Sequence, residues 1–181
     1  MSIRPEELGR ALEEVMRHVT AKAQQDGQVL LAAATEGARI IKRRTQAEGL
    51  DRYGKPFKAY SAPYARWRKE VGRGDKPNLT VTSSMMNSMV VRSSPSKAEI
   101  YFEDRPMALR PRTKLARKRG KRGVSGARLV MVPDVASYHA YGEGKNPQRD
   151  FAGIEDRPQD VKAVGAAAER QLQKILASEG P

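Results

Sequence analysis

The chain has 181 residues, no cysteine, and 34 Lys and Arg against 21 Asp and Glu, which gives a formal net charge of +13. This length fits one domain, 1–181, with a single core. The absence of cysteine excludes a disulfide framework and thiolate chemistry, and no run approaches the ~20 apolar residues of a membrane span or resembles a signal peptide. These features predict a cytosolic product. The excess positive charge favours an acidic partner, either nucleic acid or an acidic protein surface.

Two helical patterns precede residue 45. The first begins at Pro5, which suits the first turn of a helix, and its apolar face comprises Leu8, Leu12, Val15 and Val19. In the second, one face carries Leu30, Ala34, Ala38 and Ile41, with Arg39, Lys42, Arg43 and Arg44 off that stripe. Gly27 marks a break or kink between them. One long helix and a helix pair both fit the pattern.

A loop is predicted over 51–57, with Gly54 in a left-handed conformation and Phe57 packed into the body. Ser61, followed by a proline, predicts the start of a short helix with a side-chain cap. That helix carries the only tryptophan, Trp67, which we interpret as an anchor in the core or at an interface. A turn over 72–76 follows.

The sequence predicts a short extended run over residues 79–81. The hydroxyl groups of residues 82–84 that follow it are suited to cap the start of a helix. Residues 85–89 then predict about one helical turn. Its methionines offer either an adaptable contact surface for a partner or filling for the core, because Met packs well against varied neighbours. These interface candidates are Met85, Met86 and Met89.

A β-hairpin is predicted next, from strands over 90–93 and 98–102 joined by a turn at 94–97. Its apolar face comprises Val91, Ile100 and Phe102. A two-stranded hairpin is not stable alone, so helices must cover this face.

Residues 105–128 are the most basic segment of the chain, with ten Lys and Arg and no acidic residue. Few apolar residues interrupt the segment, which predicts a loop or long β-arm extruded from the domain. Its cations suit sequence-independent contact with DNA phosphates, docking on an acidic face of an adjacent subunit, or simple solvation. No aromatic residue is present for base stacking. The candidate docking residues are Arg110, Arg112, Lys114, Arg117, Lys118, Arg119, Lys121 and Arg122.

The remaining chain predicts a strand over 129–132 stopped by Pro133, a short helix over 134–141 ended by Gly142, and an extended segment or short strand over 147–154. Asp156 is expected to cap a C-terminal helix, whose apolar face comprises Val161, Val164, Ala168, Leu172 and Ile175. The whole predicts an α+β fold: a long N-terminal helix or helix pair, a small central antiparallel sheet with a hairpin and an extended basic arm, and a C-terminal helix.

Five groups of residues, which follow one another in order along the chain, carry a resemblance to a known family. They are Gly54-Lys55-Pro56-Phe57 with Tyr60-Ser61; Tyr64 and Trp67 in a basic short helix; Pro77-Asn78-Leu79-Thr80-Val81-Thr82 with Met85 and Ser88; Tyr138-His139 with Gly142; and Arg149 with Phe151 and Gly153. In order and spacing they resemble the virion-morphogenesis, or tail-completion, family of tailed bacteriophages over residues 46–154. Ser83 departs from the glycine usual in that family, and the basic segment is longer than the family pattern.

The resemblance implies a viral structural protein of the virion neck, made in the host cytoplasm. It implies a homo-oligomeric ring, a hexamer, at the head–tail junction, in contact with the head connector and with the tail tube or tail terminator. DNA passes through such a ring, and the resemblance implies no reaction and no cofactor. The charge balance alone supports an alternative, a stand-alone protein that binds nucleic acid without sequence preference.

His139 raises a catalytic hypothesis that the rest of the sequence does not support. No cysteine is available for it to activate, the only other histidine is His18, and no G-x-S-x-G elbow occurs. We therefore expect a structural histidine, bonded to backbone near the turn at Gly142. Arg149 is expected to pair with a carboxylate, within the fold or across a subunit interface. No zinc, phosphate-loop or calcium-loop motif is present, so the sequence predicts no enzyme, metal or cofactor.

Overall fold

The computed structural model describes residues 17, 20–21, 27–79, 84–109, 128–142 and 147–178, and their fold is α+β, as the sequence predicts. None of the helices in these ranges is both long and apolar enough to span a bilayer. The elements are α1 (Gln28–Arg43), which continues as a π-helical turn (Arg44–Glu48), α2 (Ala62–Glu70), α3 (Ser84–Asn87), β1 (Met89–Ser94), β2 (Lys97–Phe102), β3 (Pro106–Leu109), β4 (Arg128–Met131), α4 (Val132–Tyr141) and α5 (Pro158–Ser178).

The contacts between residues divide the chain into two compact units. Unit 1 consists of Met1–Ile41, Val91–Ile100 and Ile154–Pro181, and unit 2 of Lys42–Val90 and Tyr101–Gly153. The predicted single domain over 1–181 stays a prediction. The first predicted helix lies outside the described residues except for Arg17, Thr20 and Ala21, which have helical backbone.

In unit 1, Gly27 separates α1 from the helical residues that precede it. Gly27 has a φ of +59°, and a Cβ at this position would lie 2.8 Å from the carbonyl oxygen of Ser94. Both the left-handed conformation and this close approach require glycine. The predicted break is confirmed, and helical residues on both sides of it favour the helix pair.

Small residues let α1 approach its neighbours closely in unit 1. A Cβ at Gly37 would lie 2.5 Å from Cδ1 of Ile154 and 3.2 Å from Cδ1 of Ile100. The predicted apolar stripe of α1 is confirmed at Ala38 and Ile41, which are buried. The buried residues lie on one face of α1, because an α-helix has 3.6 residues per turn.

The C-terminal helix α5 contacts α1 through a hydrogen bond of 3.0 Å from the Gln171 amide to Gln28. Ile175 of its predicted face is buried, whereas Val161 is 48% exposed and lies off the buried face. α5 begins at Pro158, two residues after Asp156, and the predicted cap from Asp156 stays a prediction. Proline suits this first helical position, where the N–H has no partner within the helix.

The hairpin forms as predicted, with β1 and β2 paired in a two-stranded sheet and only residues 95–96 between them. Burial alternates along β2 and over residues 91–94 of β1. The predicted apolar face is confirmed, because Val91, Ile100 and Phe102 are half-buried. Arg92, Glu99 and Tyr101, which lie beside them in the strands, are exposed.

In unit 2, β3 and β4 pair antiparallel, with Pro106 opposite Met131 and Leu109 opposite Arg128. The two ends of the predicted basic arm are therefore held together by a strand ladder. Residues 110–127, between these ends, lie outside the described residues. The strand ends at Met131 rather than Val132, because Pro133 suits the first turn of α4. That helix ends at Gly142, with a φ of +75°, as predicted.

Leu79 departs from the predicted extended run. Its φ is +55°, in the left-handed region that residues other than glycine rarely adopt. The Leu79 side chain is buried and its N–H donates a hydrogen bond of 3.2 Å to the hydroxyl of Tyr60. Burial and this hydrogen bond together hold a conformation that the local sequence does not favour.

Candidate functional site

Helix α2 and the loop before it present a row of aromatic rings in unit 2. The rings of Tyr60 and Tyr64 meet edge to face at 4.9 Å, and those of Tyr64 and Trp67 stack at 5.4 Å. Tyr64 and Trp67 lie three residues apart on one face of α2. Trp67 is half-buried, at the solvent side of this row. Ser61 occupies the position before α2 but makes no side-chain cap, so that predicted capping bond is wrong.

Two buried arginines contact the inner ring of this row. Arg68 is 0% exposed and Arg149 is 3% exposed. The guanidinium carbon of each lies 4.9 Å from the centroid of the Tyr60 ring. Cation–π contacts of this kind stabilise by about 2 kcal/mol when desolvated. We call the following group the Tyr60 cluster: Tyr60, Tyr64, Trp67, Arg68, His139 and Arg149.

Arg68 reaches the cluster from α2 and fixes the turn that follows this helix. It donates hydrogen bonds of 3.0 Å each to the carbonyls of Gly74 and Arg73 and to Oδ1 of Asn78. Its Nη1 is buried without a hydrogen-bond partner among the described residues. No signal in the sequence marked the burial of Arg68, because Tyr64, four residues earlier on the same face of α2, is itself exposed.

Arg149 reaches the cluster from the extended segment 147–153. Its guanidinium donates to the carbonyl of Lys58 at 3.2 Å and, more weakly, to that of Pro147 at 3.5 Å. Nε is buried without a hydrogen-bond partner, and burial lowers the pKa of Arg149. The expected carboxylate partner is not found among the described residues. Carbonyl groups and the Tyr60 ring occupy that role instead.

His139 lies in α4 beside Arg149, and its carbonyl accepts a hydrogen bond of 2.7 Å from the N–H of Arg149. Burial, and then the charge of Arg149, lower the pKa of His139 to about 4. The predicted bond from its ring to backbone is not observed, since Nδ1 is buried without a partner in the described part of the chain. The imidazole is therefore neutral at pH 7 and a weak base.

The phenol of Tyr64 is subject to the charge of both guanidiniums. Burial, and then the nearby Tyr60, raise the pKa of Tyr64, while Arg68 and Arg149 act in the opposite direction. The phenol consequently stays protonated at neutral pH. The charged groups of the Tyr60 cluster are thus two cations, which no described carboxylate neutralises.

A third buried arginine holds the same extended segment at its other end. Arg44, which is 0% exposed, donates to the carbonyls of Phe151 at 2.8 Å and Gly153 at 2.7 Å. The N–H of Arg52 donates to the carbonyl of Asp150 at 2.7 Å. Segment 147–153 has no strand partner, so arginine side chains and a loop amide satisfy its carbonyls. Sequence reasoning placed Arg44 off the buried stripe, although its spacing from buried Ile40 and Ile41 put it on that side of the helix.

The remaining predicted site residues are not brought together with the cluster. Met85, Met86 and Met89 are buried, at 4%, 0% and 6% exposed, so they fill the core rather than present a contact surface. Apolar side chains that follow a short strand or turn bury more readily than they serve a partner. The candidate docking residues of the basic segment lie outside the described residues: Arg110, Arg112, Lys114, Arg117, Lys118, Arg119, Lys121 and Arg122.

No group of three or more His, Cys, Asp or Glu within the described ranges is arranged to hold a metal ion. Comparisons with protein-family models, with curated proteins and with solved structures find no match to this chain.

Proposed function

We propose that this chain is a structural protein of the tail-completion type, which assembles as a homo-oligomeric ring at the head–tail junction of a phage particle. The ring joins the head connector to the tail tube, and DNA passes through it. One observation carries this proposal. Residues from four separate groups of the family resemblance contact one another in the Tyr60 cluster: Tyr60, Tyr64 with Trp67, His139 and Arg149. A single network of contacts would therefore explain why these residues occur together, in this order and spacing, in the family that the chain resembles.

The chemistry of the cluster supports a structural role over a catalytic one. A general base at neutral pH needs a pKa near the operating pH, and the pKa of His139 is lowered to about 4. The charge that acts on His139 is that of the Arg149 guanidinium, which is a cation and not an activated nucleophile. The proposed protein therefore transforms no substrate.

The strand pair β3–β4 supports the proposal that the basic segment makes an outward contact. Leu109 and Arg128 are register partners, so the two residues that flank the span 110–127 lie side by side in the strand ladder. Eight Lys and Arg and no acidic residue lie in that span. In a ring, several such segments act together, and effective concentration multiplies contacts that are weak one at a time. The contact is an acidic face of an adjacent subunit or packaged DNA.

The charge of the same segment favours a second candidate function, a stand-alone protein that binds nucleic acid independently of sequence. Binding through phosphate contacts weakens steeply with salt, because each contact releases a condensed counterion. A ring protein that docks through protein contacts assembles without DNA. The two candidates are therefore separated by what the purified protein binds.

The decisive experiment measures the mass of the purified protein, alone and with duplex DNA, at low and high salt. One variant replaces five residues of the basic segment by Gln: Arg117, Lys118, Arg119, Lys121 and Arg122. A matched control replaces five exposed cations elsewhere: Lys55, Lys58, Arg66, Arg73 and Lys174. We expect the first variant alone to lose the oligomer. Loss of DNA binding with the oligomer intact would favour the second candidate, and loss of neither would contradict both functions of the segment.

A further inference from the structure

The Tyr60 cluster has an imbalance of charge that its own residues do not resolve. Arg68 and Arg149 are both almost fully buried. A buried cation is costly unless an anion and a full set of hydrogen bonds compensate it. Carbonyl groups, the Asn78 amide and the Tyr60 ring supply only partial charges. Neither guanidinium has a carboxylate partner among the described residues.

Two donors of the cluster also lack an acceptor. Nη1 of Arg68 and Nε of Arg149 are buried without a hydrogen-bond partner in the described part of the chain. An unsatisfied buried donor on a charged group costs more than one on a neutral group. Both cations therefore have the charge and the free donor that an oxyanion would satisfy.

Tyr64 marks the side from which an anion can reach the cluster. Its phenol is subject to the charge of both guanidiniums, yet its side chain is 36% exposed, and the Trp67 ring stacked on it is half-buried. Tyr64 is the one exposed member of the cluster, and Trp67 is stacked on it. A single Asp or Glu side chain is narrow enough to enter beside them. The phosphodiester backbone of DNA is too bulky to approach side chains that are buried to this extent.

We propose that the Tyr60 cluster is a docking site for one Asp or Glu carboxylate of a neighbouring copy of this chain, inserted beside Tyr64 to pair with Arg68 and Arg149. The inference rests on the proposed ring, which supplies the neighbour. The chain offers suitable groups, since Asp104 and Asp134 are exposed and form no ion pair with the described residues. Charge-assisted pairs between Arg and carboxylate are among the stronger hydrogen bonds in proteins.

The first test supplies the carboxylate within the same chain. Tyr64→Glu places an acid four residues before Arg68, the spacing at which helical side chains pair, and Tyr64→Gln has the same shape without charge. We expect the Glu variant to melt at least about 4 °C above the Gln variant, because the acid meets two buried cations.

The control for this pair lies two residues earlier in α2, where Ala62 and Arg66 are both exposed. Ala62→Glu and Ala62→Gln make an ordinary surface pair with Arg66, for which a difference of about 1–2 °C is expected. A difference at position 64 no larger than the one at position 62 would overturn the site. This comparison uses the isolated chain and does not depend on assembly.

The second test asks where the carboxylate comes from. Because Tyr64→Glu fills the site internally, we expect it to raise the dissociation constant of self-association at least about tenfold over Tyr64→Gln, measured by sedimentation. Equal association of the two variants, or a wild-type chain that stays monomeric throughout, would overturn the neighbouring copy as the source. Loss of DNA binding by Tyr64→Glu with association unchanged would instead assign the anion to phosphate.

Glu143 is the competing source within the chain, and it lies outside the described residues. We expect Glu143→Gln to leave the melting temperature unchanged. A loss of several degrees that Tyr64→Glu restores would assign the counter-charge to Glu143 and overturn the proposal. The ring function is tested separately by particle joining, so failure of the docking site and failure of the ring function are distinguishable.

Discussion

At the scale of single residues, buried arginines in unit 2 replace the backbone pairing that a strand would provide. Segment 147–153 has no strand partner, and the carbonyls of Phe151 and Gly153 are satisfied by Arg44. A basic residue is usually assigned to the surface from sequence, because its charge is costly to bury. Only its position relative to Ile40 and Ile41 indicates otherwise.

We expect Arg44→Met to lower the free energy of unfolding by about 3 kcal/mol, because two backbone acceptors lose a charged donor. Arg43→Met is the matched control. Arg43 is exposed and forms an ion pair of 3.1 Å with Glu48, so its loss is expected to cost less than about 0.5 kcal/mol. Chemical denaturation of both variants measures the difference. Equal losses would contradict the structural role of Arg44.

His139 gives the folded chain a dependence on pH. Its folded pKa of about 4 lies below its ordinary value of 6.5, so the folded state binds this proton less readily than the unfolded state. The stability contributed by neutral His139 is complete above pH 6.5 and falls progressively as the pH approaches 4. The full loss is up to about 3 kcal/mol.

The check compares unfolding free energies at pH 6.5 and pH 4 for the wild-type chain, His139→Asn and His18→Gln. Acidic residues titrate in all three, so the difference between them isolates the histidine. We expect His139→Asn to lose less stability on acidification than the other two. An equal loss in all three would mean that the imidazole is not held neutral.

At the scale of elements, the sequence pattern correctly predicted the features that depend only on residues close together in the chain. The stripe of α1, the β1–β2 hairpin and the end of α4 at Gly142 all follow from side-chain spacing or from a glycine within a few residues. The β3–β4 pairing joins residues on either side of 110–127, and no local pattern encodes it. Leu79 is held left-handed by Tyr60, 19 residues earlier in sequence.

The candidate site shows the same division between local and distant effects. The sequence marked Tyr60, Tyr64, Trp67, His139 and Arg149 one at a time, through a family resemblance. It did not place them together, because the contacts of Arg149 with Tyr60 and with His139 depend on the packed chain. The burial of Arg68 was missed for the same reason.

The end of α4 provides a test at this scale. Gly142 has a φ of +75°, and a Cβ there would lie 2.7 Å from the backbone nitrogen of Gln148. Gly72 has a φ of +71° with nothing within 4 Å, so Gly72→Ala measures conformational strain alone, about 1 kcal/mol. We expect Gly142→Ala to cost at least about 2 kcal/mol more, because backbone must move. Thermal denaturation compares the two variants, and similar losses would contradict the close approach.

At the scale of the whole molecule, positive charge is concentrated in one span of the sequence. Eight of the 34 Lys and Arg lie in 110–127 without an acidic residue, and the β3–β4 ladder brings both ends of that span together. We propose that the protein functions through its contacts with other components of a particle. The proposed ring and the carboxylate site at Tyr64 both follow from that view.

The most direct test is electron microscopy of phage particles assembled without this protein. We expect filled heads and completed tails that remain separate, or that join unstably, and we expect the wild-type protein supplied in trans to restore joined particles. Particles that form normally joined heads and tails without it would contradict the proposed function.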